Sequence, residues 1–309
     1  MKRLWILLLL CFSIETCTAQ ITVSLKSDFV KQFQDSVTID ASFRVDAFSA
    51  IHTAKTDGDI HVAGTAPQIG MIAVAEVMNA KTERSGAVKT LTQAKGSNTP
   101  VSITGAWRIW SEHGGEQQYV QGVEVPVATT SGEAHVFEIH PVSRVNGRDV
   151  SHTLEPIAGF TYKTADDAFG LYERTKSEIS EADGMVTIST EQAGYNYTQF
   201  VAKLLSEPFA LKGGTGVMAS ILDEGGDLLV TERRLVFVSG TPPEHVVQAK
   251  HKGDLIEVVG IPRVSLKLVE WRLTHQDDPR CKHQCLTWNI PYELIVAAVT
   301  DENPPSPTD

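Results

Sequence analysis

Acidic residues and histidines are concentrated in the first half of this sequence, and they are its best candidates for chemistry. The set comprises Asp57-Gly58-Asp59-Ile60-His61, Glu76, Glu112-His113 and His135-Val136-Phe137-Glu138-Ile139-His140-Pro141-Val142. Two histidines with one or two carboxylates suffice for Zn²⁺ or a similar divalent ion with an open position, where bound water becomes a nucleophile near pH 7. Without a metal, a His–carboxylate pair can serve as a general base.

Alternation along the strands decides which of these side chains can meet. In the last segment, Glu138 and His140 alternate with apolar residues, so both project from the face opposite the core. Asp59 and His61 likewise share one face of their strand. In a barrel whose first strand pairs with strands two, four and five, these two pairs and Glu76 are expected to converge.

Three interpretations of this cluster stay open: a structural network, a binding site for a polar ligand, and a catalytic or metal site. The candidate ligand-binding residues are Trp110, Asp59, His61, Glu76, Glu138 and His140. The candidate ligands of a divalent metal such as zinc are His61, Glu138 and His140. No HExxH, GxSxG, P-loop or Rossmann fingerprint accompanies them, so the sequence indicates no particular reaction.

Two tryptophans lie close to these residues on one predicted strand. Trp107 is in register with apolar residues and is predicted to pack in the core. Trp110 has the opposite parity and is the candidate for an exposed aromatic platform, of the kind on which OB-folds stack bases or sugars.

The apolar spacing predicts short strands. From Val37 to Asp46 apolar and polar residues alternate almost strictly, as in a half-buried strand. Asp57-Gly58 predicts a two-residue hairpin turn between strands at 50–56 and 59–64. Further strands are predicted at 71–78, 101–110 and 135–145, and about five more between 197 and 273. Because Pro141 lacks an amide proton, its strand should lie at an edge or end there.

Two consecutive units of about five strands favour a mostly β protein: two consecutive small OB-like β-barrels joined by a short helical linker. A small sandwich or an SH3-like barrel would give a similar pattern. The linker helix is predicted from the charged, helix-forming residues Asp166 to Ala182. The predicted organisation is a signal peptide at 1–19, the first barrel at 20–163, the linker at 164–184, the second barrel at 185–275, and a C-terminal extension with a Pro-rich tail at 276–309.

The N-terminus has the three parts of a secretory signal peptide. Lys2 and Arg3 precede an apolar core from Leu4 to Ile14, which is far shorter than the roughly 20 residues that a membrane-spanning helix needs. Small residues then predict cleavage after Ala19, and a lipoprotein anchored at Cys17 is the alternative. The mature chain is therefore expected to be exported, to the periplasm or outside the cell, with no transmembrane segment.

Only Cys281 and Cys285 follow the predicted signal peptide. Two thiols so close together in an exported chain predict a local disulfide. A soft-metal site that also uses His283 and His275, or a pair of free thiols, stays open as an alternative.

The acidic and histidine pattern resembles that of exported bacterial OB-like domains. The resemblance rests on Asp57-Gly58-Asp59-x-His61, on Glu76, on the Trp-rich strand that leads to His113, and on Glu138-Ile139-His140-Pro141-Val142, and it covers roughly residues 57–142. It implies a β-barrel with a shared polar cluster and implies no reaction. The chain departs from this pattern at Gln117-Gln118-Tyr119, where those domains have a loop rich in glycine and asparagine. The resemblance therefore assigns no role to His113.

The charge balance narrows the class of partner. A formal charge of −11 at pH 7 repels phosphate backbones, so nucleic acid is not expected as a partner. The sequence is best explained as an exported, non-catalytic module that binds a polar small molecule, a carbohydrate-like ligand or a protein. The alternative is a metal-dependent hydrolase that uses the Asp/His/Glu cluster of the first barrel.

Overall fold

The computed structural model describes residues 20–304, except residues 98, 116, 282 and 283. The predicted signal peptide and Cys17 lie outside the described residues. Within these residues, no helix is long and apolar enough to cross a membrane. The strands are β1 (Gln20–Lys26), β2 (Thr38–Phe48), β3 (Ile60–Thr65), β4 (Ile72–Val77), β5 (Val101–Ile109), β6 (Gln118–Val120), β7 (Phe137–Val145), β8 (Arg148–Asp149), β9 (Ser177–Ala182), β10 (Met185–Glu191), β11 (Thr198–Leu204), β12 (Phe209–Leu211), β13 (Gly214–Leu222), β14 (Leu228–Val238), β15 (Leu255–Val264) and β16 (Tyr292–Asp301). The α-helices are α1 (Ser27–Phe33), α2 (Ala87–Gln93), α3 (Ala165–Tyr172), α4 (Pro242–Gln248) and α5 (Leu266–Thr274).

The first barrel closes through five strands. Strand β2 pairs with β3 and with β5, β3 pairs with β4, and β5 pairs with β7, all antiparallel. Parallel pairing of β4 with β7 completes the ring. Helix α2 lies between the third and fourth strands of this ring. This arrangement is that of a small OB-type barrel.

The second barrel repeats the same connectivity. Strand β11 pairs with β13 and with β15, β13 pairs with β14, β15 pairs with β16, and β14 and β16 close the ring in parallel. Helix α4 again lies between the third and fourth strands. Two consecutive OB-like barrels are therefore the fold of this chain, as the sequence predicted.

The C-terminal end of the second barrel lies further along the chain than the sequence predicted. Its last strand, β16, lies within the segment 276–309 that was predicted to be a C-terminal extension. The segment 264–273, which was predicted as the last of these strands, instead turns into helix α5, because the Ser265 side chain accepts a hydrogen bond from the Leu268 amide and caps that helix.

The predicted linker helix ends after only eight residues, at Tyr172. The rest of the predicted helix is strand β9, which forms a hairpin with β10 and joins β1 and β6 in a four-stranded sheet. Apolar and polar residues alternate with period two in Ser177–Ala182, and the following turn residues Asp183 and Gly184 have positive φ angles of 51° and 74°. This segment therefore forms a hairpin with β10 rather than a helix.

The hairpin predicted at Asp57-Gly58 is wrong. The segment before it forms a loop in which the amides of Thr56, Asp57 and Gly58 all donate to the Thr53 carbonyl. The antiparallel partner of β3 is β2, so the connection between the two strands is longer than two residues.

The prediction that the strand lies at an edge or ends at Pro141 is also wrong, since β7 pairs with both β4 and β5. Strand β7 continues past this residue and accommodates the proline with a bulge, because His140 and Pro141 together lie opposite Ala106, between the pairs Gly105–Val142 and Trp107–Ile139. A Cβ atom on Gly105 would lie 2.6 Å from the Pro141 carbonyl oxygen, so the close approach requires glycine.

Cys281 and Cys285 form the predicted disulfide, with their Cα atoms 4.7 Å apart. His283, which belongs to the alternative soft-metal site, lies outside the described residues. Bridged sulfurs do not act as thiolate ligands, so the structure favours the disulfide over that site.

Candidate metal centre

The predicted polar cluster lies on strands β3, β4 and β7, on the face opposite to Ala75 and Ile139. The strand register sets His61 opposite Glu76 and Val74 opposite Glu138. Burial of the cluster is nearly complete: Asp59 and His140 are 0% exposed, and Glu76 and Glu138 are 2% exposed. Tyr197, which comes just before the second barrel, covers it.

A short chain of hydrogen bonds fixes the orientation and tautomer of His140. The Tyr197 hydroxyl donates to Asp59 Oδ2 at 2.5 Å, so its oxygen accepts from His140 Nε2 at 2.8 Å. The other oxygen of Asp59 accepts from the Asn79 amide. In a neutral ring the lone pair is therefore on Nδ1, which lies 3.2 Å from Glu76 Oε2 and 3.4 Å from Glu138 Oε2. That nitrogen has no hydrogen-bond partner among the described residues.

His135 is held in the same way from the other side. Its Nδ1 lies 2.7 Å from the Glu133 carbonyl oxygen, which can only accept, so Nδ1 carries the proton. The lone pair of a neutral ring is then on Nε2, 3.4 Å from Glu138 Oε1. Within the described part of the chain this buried nitrogen also has no hydrogen-bond partner.

Glu76 and Glu138 lie between these two rings. Glu76, His135 and Glu138 each offer one ligand atom, and these three atoms lie within 4.8 Å of one another. The carboxylate atom Glu76 Oε1 is buried and has no hydrogen-bond partner among the described residues.

The two carboxyl groups differ in their preferred charge. Burial raises the pKa of Glu76 well above its usual range, and the neighbouring carboxylates of Glu138 and Asp59 raise it further. Burial would also raise the pKa of Glu138, but the Arg108 guanidinium outweighs it and holds that pKa well below its usual range. The pKa of Asp59 is raised well above its usual range, chiefly by burial. The cluster thus contains more potential negative charge than Arg108 alone compensates.

A second group of polar side chains lies between this cluster and solvent. His52 Nδ1 lies 2.8 Å from Asp57 Oδ1, and His61 Nε2 lies 4.0 Å from Asp57 Oδ2. The same His61 nitrogen is 3.4 Å from Glu76 Oε2, so His61 connects the two groups. Burial and the neighbouring His52 lower the pKa of His61 to about 4, which leaves its ring neutral at pH 7.

An open pocket of about 500 Å³ meets the cluster at His61. It is lined by Thr56, Asp57, His61, Glu112, His113, Phe160, Thr161, Tyr162, Lys163, Thr164, Asp167, Tyr195, Asn196 and Tyr197. Its walls combine aromatic rings with hydroxyl, amide and charged groups, a composition suited to a polar ligand.

The structure brings together five of the six candidate residues: Asp59, His61, Glu76, Glu138 and His140. Trp110 stays apart. It is buried and packs edge-on against Tyr172 of α3 with ring centroids 5.5 Å apart, so the expectation of an exposed platform is wrong. Trp107 is buried as predicted.

Several partners in the cluster were not assigned from the sequence. His135 was noticed in the pattern but given no role as a ligand, and His52 lay in a segment predicted as strand. Tyr197 is 138 residues from Asp59, and no local signal links the two. Arg108 stands beside the tryptophans in the sequence, and its buried side chain lies on the outer face of the first barrel, where it bonds Glu138, Glu112 and the Pro262 carbonyl of the second barrel.

No protein-family model matches this chain, and no curated protein matches it. Among solved structures, one similar chain is described as "Crystal structure of Ifi202 HINa domain in complex with 20bp dsDNA", with 9% identity, coverage of 73% of this chain and 88% of that chain, and a TM-score of 0.16. Another, described as "Structural mimicry for functional antagonism", has 10% identity, covers 73% and 86%, and has a TM-score of 0.17. Likenesses this distant carry no argument about what this chain binds.

Proposed function

We propose that the first barrel binds a divalent transition-metal ion at Glu76, His135 and Glu138, whose ligand atoms lie within 4.8 Å of one another, with His140 beside the two carboxylates. The observation that supports this most directly is the direction of the two imidazole lone pairs. Both rings have their proton fixed on the far nitrogen, and both near nitrogens face carboxylate oxygens at 3.2–3.4 Å. A lone pair against an ionised carboxylate such as Glu138 is repulsive in a buried site, and an intervening cation makes these contacts favourable. The same cation would also favour the charged form of Glu76, against its raised pKa.

The donor set and its surroundings fit such an ion. Two imidazole nitrogens and two carboxylates are ligands that Zn²⁺ and similar ions accept. Histidines that bind metals usually donate their other N–H to a carbonyl or a comparable acceptor, which orients the ring. The Glu133 carbonyl and the Tyr197 hydroxyl supply these acceptors. Asp59 then serves to orient Tyr197, since hydrogen bonds already occupy both of its oxygens.

We further propose that the pocket beside His61 binds a polar or carbohydrate-like small molecule in an exported protein. The aromatic and polar lining of the pocket supports this ligand class. The formal charge of −11 argues against a nucleic-acid partner. A metal-dependent hydrolase is the second candidate, because the pocket gives a substrate a route toward the cluster. The resemblance to exported bacterial OB-like domains stays a prediction.

The test is metal analysis of the purified full-length chain, together with a titration by zinc. We expect bound metal in the wild type and a rise of its melting temperature with zinc, because an ion that binds only the folded state stabilises it. His135→Ala and Glu76→Gln should lose the ion of this centre and the part of the shift that it causes. The matched control is His251→Ala, since this histidine is exposed and lies far from the cluster in sequence.

Glu76→Gln keeps the shape of the side chain, so it tests the site even where an alanine variant fails to fold. A wild-type protein that holds no metal and shows no thermal shift with zinc or manganese would overturn the proposal. The cluster would then be a structural network. If metal is present, hydrolysis of chromogenic ester substrates that disappears with the ion would favour the hydrolase over the binding module.

A further inference from the structure

The second polar group, His52, Asp57 and His61, has the composition of a metal site of its own. Each residue offers one ligand atom, and the three atoms lie within 4.8 Å of one another. The ring centroids of His52 and His61 are 4.4 Å apart. Each side chain is 20–27% exposed, so this group is accessible where the deeper cluster is sealed.

We propose that this group binds a second divalent ion, whose open coordination positions face the pocket. Two histidines and one carboxylate form a three-ligand set, which leaves positions free for water or a ligand. Asp57 and His61 both line the pocket, so the free positions would point toward its interior. The buried centre, by contrast, is surrounded by four protein side chains.

Glu76 connects the two centres. Its Oε2 lies 3.4 Å from His61 Nε2, and it also belongs to the group with His135 and Glu138. Because Oε1 has no hydrogen-bond partner within the described residues, the carboxylate is free to face two ions at once. A carboxylate that faces both sides is the usual way to hold two ions close together.

The free coordination positions of this second ion also indicate which class of ligand the pocket binds. Divalent ions of this kind take oxygen donors in their free positions. The pocket wall adds the aromatic rings of Phe160, Tyr162 and Tyr195, and the Lys163 ammonium lies 4.4 Å from the Tyr195 ring centroid. We therefore infer a small molecule with several hydroxyl or carboxylate oxygens, such as a sugar or a sugar acid. This inference rests on the proposed metal function for the role of Glu76, whereas the ligands of the second ion are separate residues.

The experiment is a count of zinc per chain in four proteins: wild type, His52→Ala, His135→Ala and the control His251→Ala. We expect two equivalents in the wild type and the control. His52→Ala should keep only the buried ion, and His135→Ala should keep only the ion at the pocket. With manganese as the probe, His52→Ala should also lose most of the enhanced water-proton relaxation, because only the outer ion exchanges water.

The outcomes separate the two proposals. A wild-type protein with one equivalent that His135→Ala removes and His52→Ala retains would overturn the second site and leave the buried centre standing. A wild-type protein without bound zinc would overturn both. Unchanged zinc content in His52→Ala, with two equivalents retained, would show that the second ion binds elsewhere.

Discussion

The two barrels contain the same buried ion pair at the same place, and they differ in what surrounds it. In the first barrel Arg108 lies opposite Glu138, between the fourth and fifth strands. In the second barrel Arg263 lies opposite Glu293 at the corresponding position. Each arginine also donates to a backbone carbonyl of the other barrel, Arg108 to Pro262 and Arg263 to Trp107. The pair therefore belongs to the framework that joins the barrels.

The residues beside this pair show where the barrels diverge. When Glu138 is matched to Glu293, the strand registers match His140 to Ile295 and Glu76 to Val236. The isoleucine and the valine are fully buried. An OB barrel of this chain therefore packs well with apolar residues at these positions. The first barrel places a histidine and a glutamate there at a cost in desolvation, which favours a functional role over a purely structural one.

The charges are also balanced differently. Glu293 accepts from Arg263 at 2.7 Å, from Arg234 at 2.6 Å and from Ser265 at 3.1 Å, so both of its oxygens are satisfied. Glu138 has Arg108 on one oxygen and faces His135 and His140 with nitrogen lone pairs. The second barrel thus has a complete network, whereas in the first barrel His135 Nε2 and His140 Nδ1 have no hydrogen-bond partner among the described residues.

The largest effect is expected from removing either arginine of the shared pair. Arg108→Ala and Arg263→Ala should each lower the free energy of unfolding by about 3–5 kcal/mol, because each leaves a carboxylate buried without its main partner. Saturating zinc should restore part of the loss for Arg108→Ala, since an ion beside Glu138 replaces some of the missing charge. Chemical denaturation with and without zinc measures this.

For Arg263→Ala the loss relative to the wild type should be the same with and without zinc, because zinc bound by the first barrel stabilises both proteins equally. Arg280→Ala serves as a control, because that arginine forms an exposed pair with Asp278 and should leave the stability unchanged. If zinc reduced the stability deficit of Arg108→Ala and of Arg263→Ala relative to the wild type by the same amount, the proposed difference between the two barrels would be contradicted.

The second-largest effect is expected when two polar residues of the first barrel are replaced by the apolar residues found at the equivalent positions of the second barrel. In the double variant Glu76→Val/His140→Ile, metal binding at the buried centre should be abolished, whereas the stability of the metal-free protein should stay equal or rise. Replacing buried polar groups by apolar ones of similar size is often neutral or stabilising. The wild type with zinc at 100 times its Kd should exceed the variant by about 2.7 kcal/mol from binding alone. Chemical denaturation of both proteins in EDTA measures the stability of the metal-free state, and denaturation in zinc measures the stabilisation that the ion adds.

A severe loss of stability for the double variant in EDTA would contradict this comparison. It would mean that the polar cluster is itself required by the fold. A smaller single change, Val236→Ala in the second barrel, controls for packing at this position and should cost stability without any dependence on zinc.

The strands and the cluster were predictable because their signals are local. Alternation around Glu138 and His140 placed both side chains on one face, and barrel closure brought them to His61 and Glu76 as expected. The turn signals were less decisive. Asp57-Gly58 and Asp183-Gly184 have the same two residues, but only the second is flanked by segments that pair with each other. Turn chemistry therefore needs a strand partner before it fixes a hairpin.

The partners that the sequence did not assign come from tertiary packing. Tyr197 orients His140 across 57 residues of sequence, and α3 covers Trp110. Neither contact is indicated by a sequence motif or by the spacing of apolar residues. The equivalence of Arg108 with Arg263 is equally invisible in the sequence. It emerges only once the two barrels are compared strand by strand.

The smallest effect concerns the pH dependence of the complete network in the second barrel. Burial alone would raise the pKa of Glu293, but Arg263 and Arg234 outweigh it and lower that pKa. A carboxyl group whose pKa is lower in the folded state adds stability above its unfolded pKa of about 4.3, and this contribution is lost as the pH falls through the folded value. The free energy of unfolding of the wild type should therefore decline toward acid more steeply than that of Glu293→Gln. Each unit of difference in pKa corresponds to about 1.4 kcal/mol.

The control is Glu232→Gln, on the exposed part of β14. In denaturation series from pH 6 to pH 3, its free energy of unfolding should change with pH in parallel with that of the wild type. Parallel curves for Glu293→Gln and the wild type would show that this network does not depend on the charge of Glu293, and the contrast with the first barrel would lose its electrostatic basis.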